Sequence, residues 1–242
     1  MNDSFYEDEP KAKTPQGFWG QNVVPIFRIF IGLYILCTAI AMKLYPGGTA
    51  IDHTTLGHRF WLNYLCDLSQ PIGLNGLRNP GAFFGQAALF IFALLTALFW
   101  WLLPLMLGPF GLRGKVVRLF GVMSACFAVL MPLTPSEKFG IIHSITIGFS
   151  AIPALLAFGI AWGPLVDIKR NGRWFCYAAW IVLLLTIVQV LCFIYNNFLT
   201  HGAIDWFLPG LQKVWMICLL VWAYAVSHLV INRPILDERH AY

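Results

Sequence analysis

Six long apolar stretches separated by short polar segments dictate most of what this chain can become. They run approximately from Val23 to Leu44, Pro80 to Leu107, Val116 to Met131, Glu137 to Gly163, Trp174 to Phe198 and Leu208 to Ile231. Crossing a hydrocarbon core of roughly 30 Å takes about 20 apolar residues as α-helix, and each stretch meets or approaches that length. The chain is 59% hydrophobic and 16% aromatic but only 11% charged, against roughly 25% charge in soluble domains. The expectation is an all-α polytopic membrane protein with a bundle of six transmembrane helices. The third stretch is short and only the turn "MPLTPSEK" parts it from the fourth, which leaves a re-entrant pair as the competing reading of those two.

Two helix starts are written into the sequence. Asn79 before Pro80 offers a capping side chain and then proline at the first helical position. In "TPSE", Thr134 would cap, Pro135 would be first and Glu137 would complete a capping box. There is no internal repeat, low-complexity tract or soluble domain. The organisation expected is a tail over 1–22, a transmembrane domain over 23–231 and a second tail over 232–242.

Lysine and arginine in short loops set orientation. Arg113, Lys115 and Arg118, then Lys169, Arg170 and Arg173, then Arg233 and Arg239 fall on one side of six spans, and Lys11 and Lys13 join them. That side is expected to be cytoplasmic, with both termini. The first 22 residues carry Asp3, Glu7, Asp8 and Glu9 ahead of any apolar run, unlike the basic start of a signal peptide, so the tail is expected to stay attached. The formal charge of +5 reads as this topology signal plus attraction to anionic lipid, with no nucleic-acid partner implied. Trp19, Trp61, Trp100, Trp101, Trp162, Trp174 and Trp206 lie near stretch ends, as an interfacial belt requires.

The opposite side receives loop 45–79, the "LTPSEK" turn and "NNFLTHGAIDW". A connection that long rarely lacks order in a compact protein. From Thr54 to Leu68, residues Leu56, Phe60, Trp61, Tyr64, Leu65 and Leu68 follow helical spacing, with His58, Arg59, Asn63 and Asp67 mostly opposite. The pattern predicts an amphipathic lid helix with its aromatic face down, started by Asp52 or Thr54 and flanked by the glycine and proline turns of "YPGG" and "IGLNGLRNPG".

"YPGG", "FWLNYLCDLSQPIGLNGLRNPGAFFGQAALFI", "HSITIGFSAIPAL" and "LQKVWMICLLVWAYAV" together resemble the prokaryotic six-helix membrane family known as domain of unknown function 998. That family has an aromatic residue, Asn and Ser-Asp-Leu after the first helix, a histidine opening the fourth, and Gln-Lys or Gln-Arg opening the last. The resemblance spans residues 25 to 230 and extends remotely to Frag/DRAM/Sfk-type membrane proteins, some linked to lipid remodelling. It implies a fold, a prokaryotic inner membrane and a set of positions, with no reaction attached. Cys66 departs from it, standing where the family has serine.

Polar groups at membrane depth are costly and tend to pair or to mark a pathway. Asn63, Asp67, His143, Gln212 and Lys213 should converge on the outer mouth as a ligand-binding set. Asp67 is expected to pair with Lys213, His143 to share the pocket or fasten the lid backbone, and Asp205 to sit in water as a helix cap. His53, His58, His143 and His201 are the candidates for a metal, but no HExxH or HxxxH spacing joins them, so no metal or cofactor is expected. Of the six cysteines, five lie in apolar runs without CxxC spacing and read as packing residues. Cys66 alone should meet water, where with Asp67 and His143 it forms a candidate nucleophile. Gln86 and Gln189 are expected to bond between helices, and Arg28 to reach headgroup phosphate.

The function these readings favour is binding of a membrane lipid headgroup, or of a partner protein's loop, at the mouth. The partner is equally well a second copy of the chain. The alternatives are a membrane-embedded hydrolase or lipid-remodelling enzyme using His143 and Asp67, with Cys66 as third catalytic candidate, and a small-molecule transporter. The last lacks a broken helix pair or inverted repeat.

Overall fold

The computed structural model describes residues 15–107, 111–167, 171–200 and 203–232. Six long helices account for most of them: α1 Pro15–Leu44, α2 Ala82–Leu107, α3 Gly111–Leu133, α5 Ile141–Leu165, α6 Arg173–Ile194 and α7 Leu208–Asn232, with a single turn, α4 Ser136–Phe139, between α3 and α5. All six are long and apolar enough to cross a membrane, so the chain has the make-up of a multi-pass membrane protein. The third stretch is a full span of its own. Its helix begins at Gly111, five residues before the apolar run, because the basic residues that open it are good helix formers; Arg118 donates to the Trp101 carbonyl at 3.3 Å and lies over the Trp101 ring.

Helix α3 packs along α2 and α5, α1 along α2 and α7, and α6 mainly along α7. At Gly121 a methyl group would stand 2.1 Å from Cβ of Trp100, so the missing side chain sets the approach of α3 to α2. Trp100 is accordingly buried rather than part of an interfacial belt. Trp222 lies at the centre of the core, with Phe99, Phe158 and Phe175 around it. Helix α6 is the outermost. It barely touches α5 directly, and the two meet edge-to-face through Trp162 and Trp180 at 4.4 Å, at the ends remote from loop 45–79.

That loop covers one end of the bundle, called here the lid end. The expected lid helix is not formed. Over 54–68 the chain runs through successive turns, and regular helix is limited to one tight turn at Asp67–Ser69. Two isolated antiparallel bridges, Gly47 with Leu56 and Ile72 with Arg78, pin it further. Leu56, Phe60 and Trp61 are exposed, whereas Leu65 and Leu68 are buried. The helical spacing was outweighed by side chains that bond the backbone better outside a helix. Asp52 accepts from the Thr54 amide at 2.8 Å and hydroxyl at 2.7 Å, and Asn63 accepts from the Arg59 amide at 2.8 Å while donating to the Gly48 carbonyl at 2.7 Å.

Asn79 does hold the start of α2: its Oδ1 accepts from the Gly81 amide at 2.9 Å, and its amide donates to the Leu68 and Gln70 carbonyls. Thr134 does not take the capping role expected in "TPSE", since the residue ahead of the turn Ser136–Phe139 is Pro135. The Thr134 hydroxyl turns back to the Leu130 carbonyl at 2.8 Å, and Gly140, at φ +47°, breaks the chain so that the span starts at Ile141. Two more expectations fail inside the bundle. Arg28 turns inward, donating to Ser227 at 2.9 Å over the Tyr224 ring, and Gln189 Oε1 is buried without a partner instead of linking helices.

Candidate functional site

The five residues expected at the mouth divide into two layers. In the lower one, Asn63 is fully buried and ties together Gly48, Arg59 and Asp67. Lys213, also buried, donates to the Asn63 carbonyl and, at 3.1 Å, to that of Pro209, with its ammonium above the Phe60 ring. Gln212, one residue before it on α7, accepts the Leu65 amide at 3.0 Å. These contacts fasten the lid to the last helix. The expected Asp67–Lys213 ion pair is replaced by this arrangement: the ammonium is spent on carbonyls, and Asp67 Oδ2 accepts from the Tyr64 amide at 2.7 Å and Asn63 at 3.4 Å.

The upper layer is a cavity of about 310 Å³ at the lid end, lined by Tyr64, Cys66 and Asp67 from the lid, Ser136 from α4, His143, Ser144 and Ile147 from α5, Phe193, Asn196 and Asn197 from the end of α6, and Asp205 and Gln212. Helix α6 widens into a π-type turn over Tyr195–Leu199. Such turns displace side chains from the regular register, and here Asn196 is buried at the cavity wall. It donates to Asp205 at 2.7 Å and to the Tyr64 hydroxyl at 3.2 Å, and accepts the Ile204 amide at 2.9 Å. Tyr64 donates to the same Asp205 oxygen at 2.6 Å. Asp205 is therefore bound into the wall and is not a water-facing cap.

His143, only 4% exposed, also has a different partner from the one expected. Its Nδ1 lies 2.7 Å from the Thr134 carbonyl, which makes Nδ1 the donor and leaves Nε2 as an acceptor. Nε2 is buried without a partner. Ser144 donates to Asn197 Oδ1 at 3.3 Å, the polar link from α5 to α6 at this end.

Electrostatics sort the remaining candidates. Burial raises the Asp67 carboxyl to about 6, although the bonds from Tyr64 and Asn63 pull it down. Burial and the neighbouring Asp67 push the Cys66 thiol up to about 12. A thiolate is the nucleophile in cysteine chemistry, so Cys66, buried where exposure was expected, stays a thiol. His53 bonds the Leu74 carbonyl at 2.8 Å, His58 lies edge-on to Tyr45, and His201 lies outside the described residues. Among the described residues no group of three or more His, Cys, Asp or Glu side chains comes together as a metal site requires.

Sequence reasoning missed Tyr64, Ser136, Ser144, Asn196, Asn197 and Asp205. The paired asparagines closing an otherwise apolar stretch were the available signal. No family model matches the chain, and neither does any curated protein or solved structure.

Proposed function

We propose that this is a multi-pass protein of a prokaryotic inner membrane, lid end outward and both termini cytoplasmic, that holds the headgroup of a membrane lipid in the lid-end cavity. The observation that carries this is the gradation of the lining. Ser144 and Asn197 lie nearest the lid, and Ile147 and Phe193 lie about one turn deeper on the same two helices. Polar groups thus face the lid and apolar ones the bundle interior, the order in which an amphiphile presents its head and chains. Helices α5 and α6 are held together at their far ends, and among the described residues the hydrogen bond that bridges them at this one is that of Ser144 with Asn197, which gives a path from the bilayer. At about 310 Å³ the space suits a headgroup and not a whole lipid, being at the lower end of small-ligand pockets at roughly 300 to 1,000 Å³. Membership of the domain of unknown function 998 family belongs to the same proposal and carries no part of the argument.

Ser144→Phe tests it by filling the cavity from α5. Lipid co-purifying per protein should fall severalfold while the melting temperature holds; unchanged lipid content would end the headgroup reading. One observation favours a second reading, a membrane-embedded hydrolase: His143 has the form of a general base, oriented through Nδ1 with Nε2 free. In that case His143→Gln would keep the lipid and lose its turnover.

A further inference from the structure

The hydrogen bonds inside the cavity are unevenly distributed. Both bonds to Asp67 fall on Oδ2, and both to Asp205 fall on Oδ1, so each carboxylate retains one oxygen without a donor among the described residues. His143 Nε2 is a third acceptor with no partner, on a side chain almost wholly buried. Most lining donors are committed, Tyr64 and Asn196 to Asp205, Asn197 to the Phe193 carbonyl at 3.0 Å and Ser144 to Asn197, and those left over, the Ser136 hydroxyl and the Gln212 amide, carry no charge. Among the described residues no lysine or arginine lines the space; the N–H groups of Lys213 are spent on the Asn63 and Pro209 carbonyls, and its charge reaches Asp67 from outside the cavity.

Two carboxylates against the one ammonium of Lys213 leave the site one positive charge short, and a charge withdrawn from water is tolerated when it is paired. A phosphate seated against them would add a third negative charge, so a headgroup can enter only by its ammonium end, with its phosphodiester left outside the carboxylate pair. A hydroxyl would satisfy one acceptor and leave the charge unanswered. A primary ammonium brings one positive charge and three N–H donors, matching the three unspent acceptors. We propose that the cavity selects a primary ammonium carried on a lipid headgroup, as in an aminophospholipid. This rests on the headgroup reading above. The lipid source, as opposed to a free amine, follows from Ile147 and Phe193, whose apolar surface has no use for a soluble solute.

Detergent-solubilised protein would be titrated with phosphatidylethanolamine, its N-acetylated derivative and phosphatidylglycerol, and adducts counted by native mass spectrometry. The amine lipid should bind about tenfold more tightly than either of the others, of the order expected for a close charge pair. Asp205→Asn, or Asp67→Asn should the first fail to fold, should bring the three lipids level. The N-acetylated lipid needs no variant and by itself decides the point: binding equal to the amine lipid's would overturn the inference. If Ser144→Phe then strips all three lipids alike, the headgroup reading survives without amine selectivity; if it strips none, both fall. Glycerophosphoethanolamine should not displace the lipid at equal concentration, and full displacement would overturn the lipid source.

Discussion

Asp67, buried, and His58, half-buried, lie in the same loop with opposite consequences for their protons. Asp67 is raised to about 6 from an ordinary 3.8, chiefly by burial. Between about pH 4 and 6 the folded protein therefore holds a proton that the unfolded chain has lost, and stability falls as pH rises through that window. His58 is lowered to about 4 from 6.5, by burial and by the Lys213 charge. There the unfolded chain holds the extra proton, and stability rises with pH between about 4 and 6.5. The two slopes oppose each other over most of their range. Melting curves from pH 4 to 6.5 should be nearly flat for these groups in the wild type. Asp67→Asn should leave the rising slope of His58 exposed, and His58→Gln the falling slope of Asp67; parallel profiles for all three proteins would show that neither group titrates as its surroundings imply. None of this was legible in the sequence, because both shifts come from burial under a loop whose path depends on Asn63 and Gly48.

Elements were legible to different degrees, and the reason is physical. Spans of apolar residues announce themselves through composition alone, and all six were placed within a few residues except at three starts: α1, whose helix reaches back to Pro15 ahead of the apolar run, and the two set by local chemistry at Gly111 and Gly140. The lid was misread because periodicity reports only which side chains would share a face were the segment helical, whereas its path is set by bonds of Asp52 and Asn63 to the backbone and by close approach to its neighbours. Gly85 marks one such approach: a methyl there would stand 2.3 Å from the Leu68 carbonyl oxygen, and backbone cannot swing aside. Gly85→Ala should cost about 1 to 3 kcal/mol, the usual range for overpacking, and open the lid to protease. Gly148→Ala, with nothing within 4 Å, is the control and should be neutral or slightly stabilising, since alanine is the better helix former. Equal effects of the two would mean that the turn at Asp67–Ser69 is not seated on α2.

For the whole molecule, counting the spans put loop 45–79, the start of α5 and the start of α7 at one end of the bundle, and there His143, Asp67 and Gln212 line one cavity. The sequence could not show that Lys213 is a fastener alone whereas Gln212, its neighbour in the chain, both fastens the lid and lines the cavity, because the two differ only in where their side chains end. Orientation is open to a direct check. Leu77→Cys, at an exposed position of the lid loop, should react with an impermeant thiol reagent in intact cells, whereas Arg170→Cys should not; the reverse pattern would invert the proposed topology. The fastening of the lid also has a consequence in time. The groups that receive Lys213 and Gln212 lie 150 and 147 residues earlier in the chain. At translation rates of about 5 to 20 residues per second, that interval is about 8 to 30 s. Throughout it the Asn63 carbonyl and Leu65 amide must be served by water or an insertion factor. The site is thus closed by the last helix to enter the membrane, and a ribosome that stalls before Leu208 leaves behind a bundle whose first loop is still unlatched.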